Sequence, residues 1–221
     1  MFPSLSNYTP PHNNGLDLIY RDESLIVVSK PAGLLAVPGR GADKQDCLVA
    51  RLQQEFPDVL SVHRLDMATS GLIVFACGVE MQRQLSRLFH ERLIEKCYVA
   101  VVAGKLESAS GEIDLPLIRD WPNRPKQKVD ASLGKPSLTR YRLLGYDPHA
   151  DASRVELEPV TGRTHQLRVH MAAIGHPILG DTLYGGDACG RAERLLLHAS
   201  TLSFTHPINA EPLRLVSDPP F

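Results

Sequence analysis

The densest gathering of reactive side-chain types falls in residues 61–71, Ser-Val-His-Arg-Leu-Asp-Met-Ala-Thr-Ser-Gly. Asp66 lies in this polar run with Arg64 close by. A nearby guanidinium favours the ionised carboxylate, and an ionised carboxylate can serve as nucleophile or base. The same residue types also make an ordinary turn, with Asp66 accepting hydrogen bonds from the backbone, Thr69 or Ser70. Residue types alone leave both readings open. His63 reads as structural rather than as a general base. No metal site is expected: Cys47, Cys77, Cys97 and Cys189 form no CxxC pair, and His165 and His170 are five apart rather than four.

A reactive carboxylate must be held by regular elements, and the hydrophobic pattern supplies them. Residues 16–20 and 25–29 read as strands, 71–76 as a short buried strand directly after the polar loop, and 97–102, 137–146 and 154–159 as further strands. Residues 47–56 have a helical period. In residues 80–92, Met81, Leu85, Leu88 and Phe89 share one face and leave a basic outer side. A third helix is expected over 164–174, capped by Thr164 and stopped by Gly175, followed by two strands at 195–198 and 202–205. Residues 104–136 read as a turn-rich insert. Many strands, few helices and no βαβ rhythm indicate an α+β fold: a large mixed, mostly antiparallel sheet with a few flanking helices.

The run His63-Arg64-Leu65-Asp66, continued by Thr69-Ser70-Gly71, resembles the HRLD-x-x-TSG signature of RluA-type pseudouridine synthases. The resemblance extends to Glu95-Lys96-Cys97-Tyr98-Val99-Ala100, to residues 161–170 (Thr-Gly-Arg-Thr-His-Gln-Leu-Arg-Val-His), and to residues 176–181 and 195–199. Five ordered motifs thus cover the chain from about residue 16 onward. Residues 120–129 and the short chain are similar to the branch acting on both large-subunit (23S) ribosomal RNA and tRNA stem-loops. The organisation expected is a polar segment at 1–15 and a catalytic domain over 16–221, without the S4 RNA-binding domain of many relatives.

The resemblance implies an RNA-uridine isomerase that breaks the N1–C1′ bond, turns the base over and joins C5 to C1′, with no cofactor. It makes Asp66 the catalytic nucleophile or base, Arg168 its charged partner, and Tyr98 the ring beneath the target base, with a possible hand in removing the C5 proton. Arg64 would enter the RNA stack in place of the flipped uridine, recovering part of a few kcal/mol of lost stacking. Arg163 and His165, at the start of the third helix, could hold a phosphate. Arg119, Arg124, Lys126 and Lys128, beside the single Trp121, suit phosphate contact with base stacking; the bland alternative is a solvated basic loop.

Composition agrees with a soluble RNA enzyme without demanding one. The 221 residues are 43% hydrophobic and 22% charged, with a formal net charge of −1, so any basic face must be local. Residues 119–142 carry seven basic against two acidic residues, and 83–105 five against two. No stretch approaches the ~18 apolar residues of a spanning helix, and the expectation is a cytoplasmic monomer without an obligatory protein partner. A kinase reading of HRLD fails for want of a glycine-rich loop and DFG. A glycosidase would need a second acid. The remaining rivals are a non-catalytic RNA-binding module on the same fold, disfavoured by the joint presence of Asp66, Tyr98 and Arg168, and a synthase acting on only one of the two RNAs.

Overall fold

The computed structural model describes residues 8–221, so residues 1–7 of the polar N-terminal segment lie outside the described residues. The chain opens with β1 (Leu18–Arg21) and β2 (Leu25–Lys30), then α1 (Leu48–Glu55), β3 (Val59–Ser61), β4 (Ser70–Cys77) and α2 (Val79–His90). β4 is buried on both faces, and its alternation sorts the core. Ile73 and Phe75 meet Leu48, Val49 and Leu52 of α1 on one side, while Leu72, Val74 and Ala76 meet Met81 and Leu85 of α2 on the other. The two helices therefore cover opposite faces of the sheet.

Next come β5 (Glu95–Ala103), β6 (Ser110–Asp114), β7 (Leu117–Arg119), β8 (Gln127–Val129), β9 (Leu138–Asp147) and β10 (Ala152–Pro159). They are followed by α3 (Gln166–Ala173), β11 (Leu197–Thr205) and β12 (Pro212–Val216). The main sheet runs β1-β2-β4-β11-β5-β10-β9-β6, with β12 on β11 and β3 on β4. Its pairings are antiparallel except β4 with β11, where Ser70 lies opposite His198 and Gly71 opposite Ala199. Gly71 has φ 105°, and a side chain there would collide with the Ala199 carbonyl; only glycine fits both demands.

The expected α+β class and mostly antiparallel sheet hold, with four local corrections. The insert at 104–136 contains three strands, and β7 and β8 form a separate hairpin, Leu117 opposite Val129. The two strands expected at 195–198 and 202–205 are one, interrupted by a register shift between Ala199 and Thr201. β3 and β12 were not anticipated. The third helix begins at Gln166 rather than Thr164: no side chain caps it through a hydrogen bond to its first turn, and the residue before it, His165, is left-handed with φ 56°. Gly175 (φ 86°) ends that helix as expected.

Candidate active site

The residues between β3 and β4 form the loop that carries Asp66, and it is fastened from below. Lys30, at the end of β2, is 1% exposed, and its ammonium donates to the carbonyls of Pro31, Leu34 and Met67 at 2.9, 2.7 and 3.0 Å. Burial pushes Lys30 down to about 7, against the opposing charge of Asp66. Three carbonyl acceptors nonetheless require three N–H donors, which only the ammonium has. Gly33 N–H also donates to Met67 O, and Thr69 N–H to Asp66 O. His63 accepts from Val74 N–H through Nε2 at 3.0 Å and stacks on Phe89, with 4.4 Å between ring centroids. Burial, then the Lys96 charge, takes its pKa down to about 3. A neutral ring spent on a backbone donor is structural, as expected from the sequence.

Asp66 faces α3. Its Oδ2 lies 3.5 Å from Arg168 Nη1 and 3.8 Å from His165 Nε2. The shorter contacts of Arg168 go elsewhere: Nε and Nη2 donate to Asp181 Oδ2 and Oδ1 at 2.7 and 2.6 Å. Arg168 is 4% exposed and Asp181 1%. Burial by itself would push the Asp181 carboxyl up, and hydrogen bonds and charge from Arg168 outweigh it, holding it below the usual range. Asp181 also accepts from the N–H groups of Leu183 and Tyr184. The pairing of Arg168 with Asp66 is thus present but secondary, because a bidentate fork is already engaged and only Nη1 is left over.

Tyr98, on β5 opposite Ala199 and Leu157, packs between the two core clusters that contain α1 and α3. Burial first, and the Asp66 charge second, push its hydroxyl above the usual range, so it stays a neutral phenol at neutral pH. Such a group presents a ring and is a poor proton acceptor.

His63, Asp66, Tyr98, His165 and Arg168 line one cleft of about 710 Å³, in which Asp66 is the only carboxylate among the described residues, beside Arg64, Arg92, Lys96, Arg163 and Arg168. Arg64 is exposed and has no ion-pair partner among the described residues. His165 turns its Nε2 toward Asp66. The backbone N–H of Arg163 is already taken by Gln166 Oε1 at 3.0 Å, so that amide is not open to a phosphate. Among the described residues no cluster of His, Cys, Asp and Glu is arranged to hold a metal.

Arg119, Arg124, Lys126 and Lys128 do not line this cleft; they lie on and between β7 and β8. Trp121 is 57% exposed, with Arg124 4.1 Å and Arg119 5.1 Å from its ring centroid, and Lys128 is 3.6 Å from Asp130. Lys30, Asp181, Tyr184, Arg92 and Lys96 were not singled out from sequence. Asp181 sits in the motif at 176–181, Lys96 in the motif at 95–100 and Arg92 in the basic stretch 83–105, so those signals existed without a role attached.

Compared with known proteins, residues 24–173 match the model of the RNA pseudouridylate synthase family. The chain belongs to that family, and its reaction is the isomerisation of uridine to pseudouridine in RNA. The dual-specificity RNA pseudouridine synthase RluA of Escherichia coli (strain K12) is 52% identical over 204 residues, covering 92% of this chain and 93% of that one. The protein of that name from Vibrio cholerae serotype O1 is 50% identical over 205 residues, covering 92% and 83%. Among solved structures, Human RNA Pseudouridylate Synthase Domain Containing 1 superposes with a TM-score of 0.78 at 32% identity, covering 96% of this chain and 87% of that one.

Proposed function

We propose that Asp66 carries the isomerisation, attacking C1′ of the target uridine or removing a ribose proton on the way to a glycal-like intermediate. The observation that carries this is the lone carboxylate in a cleft of cations, with Oδ2 facing Arg168 Nη1 and no protein group bonded to Oδ1 among the described residues. Both routes need an ionised Asp66, and the Arg168 guanidinium lies 3.5 Å from its Oδ2. Breaking N1–C1′ frees the base, and rotation over the flat of Tyr98 presents C5 to C1′; as the C5–C1′ bond forms, Asp66 leaves C1′ or returns the ribose proton, the C5 proton passes to solvent and N1 takes up one proton. Since Tyr98 is a neutral phenol, we assign it to packing against the base rather than to taking the C5 proton. Arg64, exposed at the rim, would occupy the gap left by the flipped base.

Arg163 at the cleft, with Arg119, Arg124, Lys126 and Lys128 on the hairpin, would contact phosphates, which fix register without reading sequence. The substrates we propose are stem-loops of 23S rRNA and the tRNA anticodon stem-loop, supported by the resemblance of residues 120–129 and by the dual specificity named for relatives at 52% identity. Residues 16–221 act as one catalytic domain in a cytoplasmic monomer. No helix among the described residues is long and apolar enough to cross a membrane.

The decisive experiment is Asp66→Asn assayed by tritium release from C5-labelled uridine in a stem-loop. The expected result is no release with RNA binding retained, because the amide keeps the shape but cannot attack or accept a proton. Turnover near that of the wild type would overturn the assignment. Mapping pseudouridines by carbodiimide in a deletion strain tests the two substrates, each of which should lose a site.

A further inference from the structure

The Tyr184 side chain joins the β7–β8 hairpin to the surroundings of Asp66. Its hydroxyl accepts from the backbone N–H of Gln127 at 2.8 Å and lies 2.7 Å from His165 Nδ1. The Gln127 amide can only donate, so the arrangement that gives the phenol proton a partner directs it at Nδ1 and leaves that nitrogen bare. Burial pushes Tyr184 up to about 12 and keeps it a donor. Burial also takes His165 below its ordinary value, against the pull of Asp66. The neutral imidazole then carries its only proton on Nε2, the nitrogen 3.8 Å from Asp66 Oδ2.

Two further contacts tie Tyr184 to the same place. Its ring lies under the Arg168 guanidinium, 5.2 Å from centroid to carbon, and edge-on to His165 at 5.6 Å. His165 is held in a left-handed backbone, φ 56°, which costs a residue with a Cβ about 1 kcal/mol or more and persists only where surrounding contacts fix it. The hydrogen bond from Tyr184 is one such contact.

We propose that Tyr184 is a positioning residue, setting the His165 tautomer so that Nε2–H faces Asp66 and linking that orientation to the hairpin through the Gln127 amide. The proposal rests on Asp66 being the reacting group. Closing the 3.8 Å gap by roughly 1 Å would give Oδ2 a second donor beside Arg168 and leave Oδ1 as the reacting oxygen. Gln127 lies between Lys126 and Lys128, so RNA settling on that strip pulls on the amide that Tyr184 reads. Docking at the hairpin and alignment of the carboxylate become one event.

Tyr184→Phe removes only the oxygen. Single-turnover rates on a stem-loop should fall about 10-fold with the RNA dissociation constant unchanged, as for other residues that orient a site from behind. His165→Gln can offer its amide N–H to Asp66 without help from Tyr184, so adding Tyr184→Phe to it should cost less than about 2-fold more. Equal losses in both backgrounds, or no loss in Tyr184→Phe, would overturn the proposal. Ring 15N spectra of the wild-type protein give a check independent of activity: His165 should carry its proton on Nε2, and a proton on Nδ1 overturns the tautomer and the proposal. Full turnover in Asp66→Asn would remove the reading on which the proposal stands, whereas missing coupling in an enzyme that still needs Asp66 removes the proposal alone.

Discussion

Asp181→Asn tests whether the buried ion pair, rather than Asp66, holds the site in shape. The change keeps an oxygen for Arg168 Nη2 and for the N–H groups of Leu183 and Tyr184. It sets an NH₂ against Arg168 Nε–H, where an oxygen now accepts at 2.7 Å. One charge-assisted bond is lost and the guanidinium, 4% exposed, is left with Asp66 at 3.5 Å as its only counter-charge. Removing one partner of a buried pair costs about 3–5 kcal/mol. Asp66 compensates in part, so the lower end applies, about 3 kcal/mol. For a chain of this size that is a fall in Tm of about 6–12 °C, read by circular dichroism. Single-turnover rates, measured well below the lowered Tm, should drop at least 10-fold as Arg168 reorients and takes Asp66 with it. Asp66→Asn provides the contrast: that side chain is 19% exposed and its contact is long, so its stability should change by less than about 1 kcal/mol. A loss below about 1 kcal/mol for Asp181→Asn, with normal turnover, would refute the reasoning.

Lys30→Met should lower stability by about 2–4 kcal/mol, since the Pro31 and Leu34 carbonyls lose the ammonium and Met67 O keeps only the Gly33 N–H, while the cost of a buried charge is relieved; an unmoved urea midpoint would contradict this. His63 has a folded pKa of about 3 against 6.5, so between those values the unfolded chain binds the extra proton and stability falls as pH falls. At pH 5 its share is about 2 kcal/mol relative to neutral pH. His63→Gln, which keeps an acceptor for Val74 N–H, should lose that share, and an identical acid slope in urea titrations would count against it. Neutralising Arg124, Lys126 and Lys128 together should reduce the slope of log Kd against log salt by about 2–3. A wild-type slope would mean the RNA lies elsewhere. Arg64→Ala should slow turnover more than it weakens binding, because its contact forms only as the base leaves the stack; equal losses would argue for a plain phosphate contact.

Legibility from sequence followed locality. The Asp66 loop could be read because its residues are adjacent, and α2 because Met81 and Leu85 repeat at helical spacing. Asp181 escaped because its pairing with Arg168 crosses the turn at Gly175, and nothing in the spacing distinguishes it from a turn carboxylate. The left-handed His165 contradicts its own backbone preference and is imposed by contacts distant in sequence, chiefly with Tyr184. At Ala199-Ser-Thr the loss of apolar alternation looked like a gap between strands, whereas the backbone continues through an irregular pairing. The basic strip was legible as charge, but its separation from the cleft depends on β7 and β8 forming their own hairpin.

The parallel contact between β4 and β11 has a bearing on how the enzyme comes into being. Ser70 and His198 are 128 residues apart and hydrogen bonded, Oγ to Nδ1, at 2.9 Å, and Arg194 also donates to that hydroxyl. The loop holding Asp66 is therefore anchored at one end by residues that lie 124 and 128 positions later in the chain. Contacts of such separation form late in folding. Asp181, which orients Arg168, arrives late as well. Until residues 194–198 have joined β4, the Asp66 loop lacks this anchor.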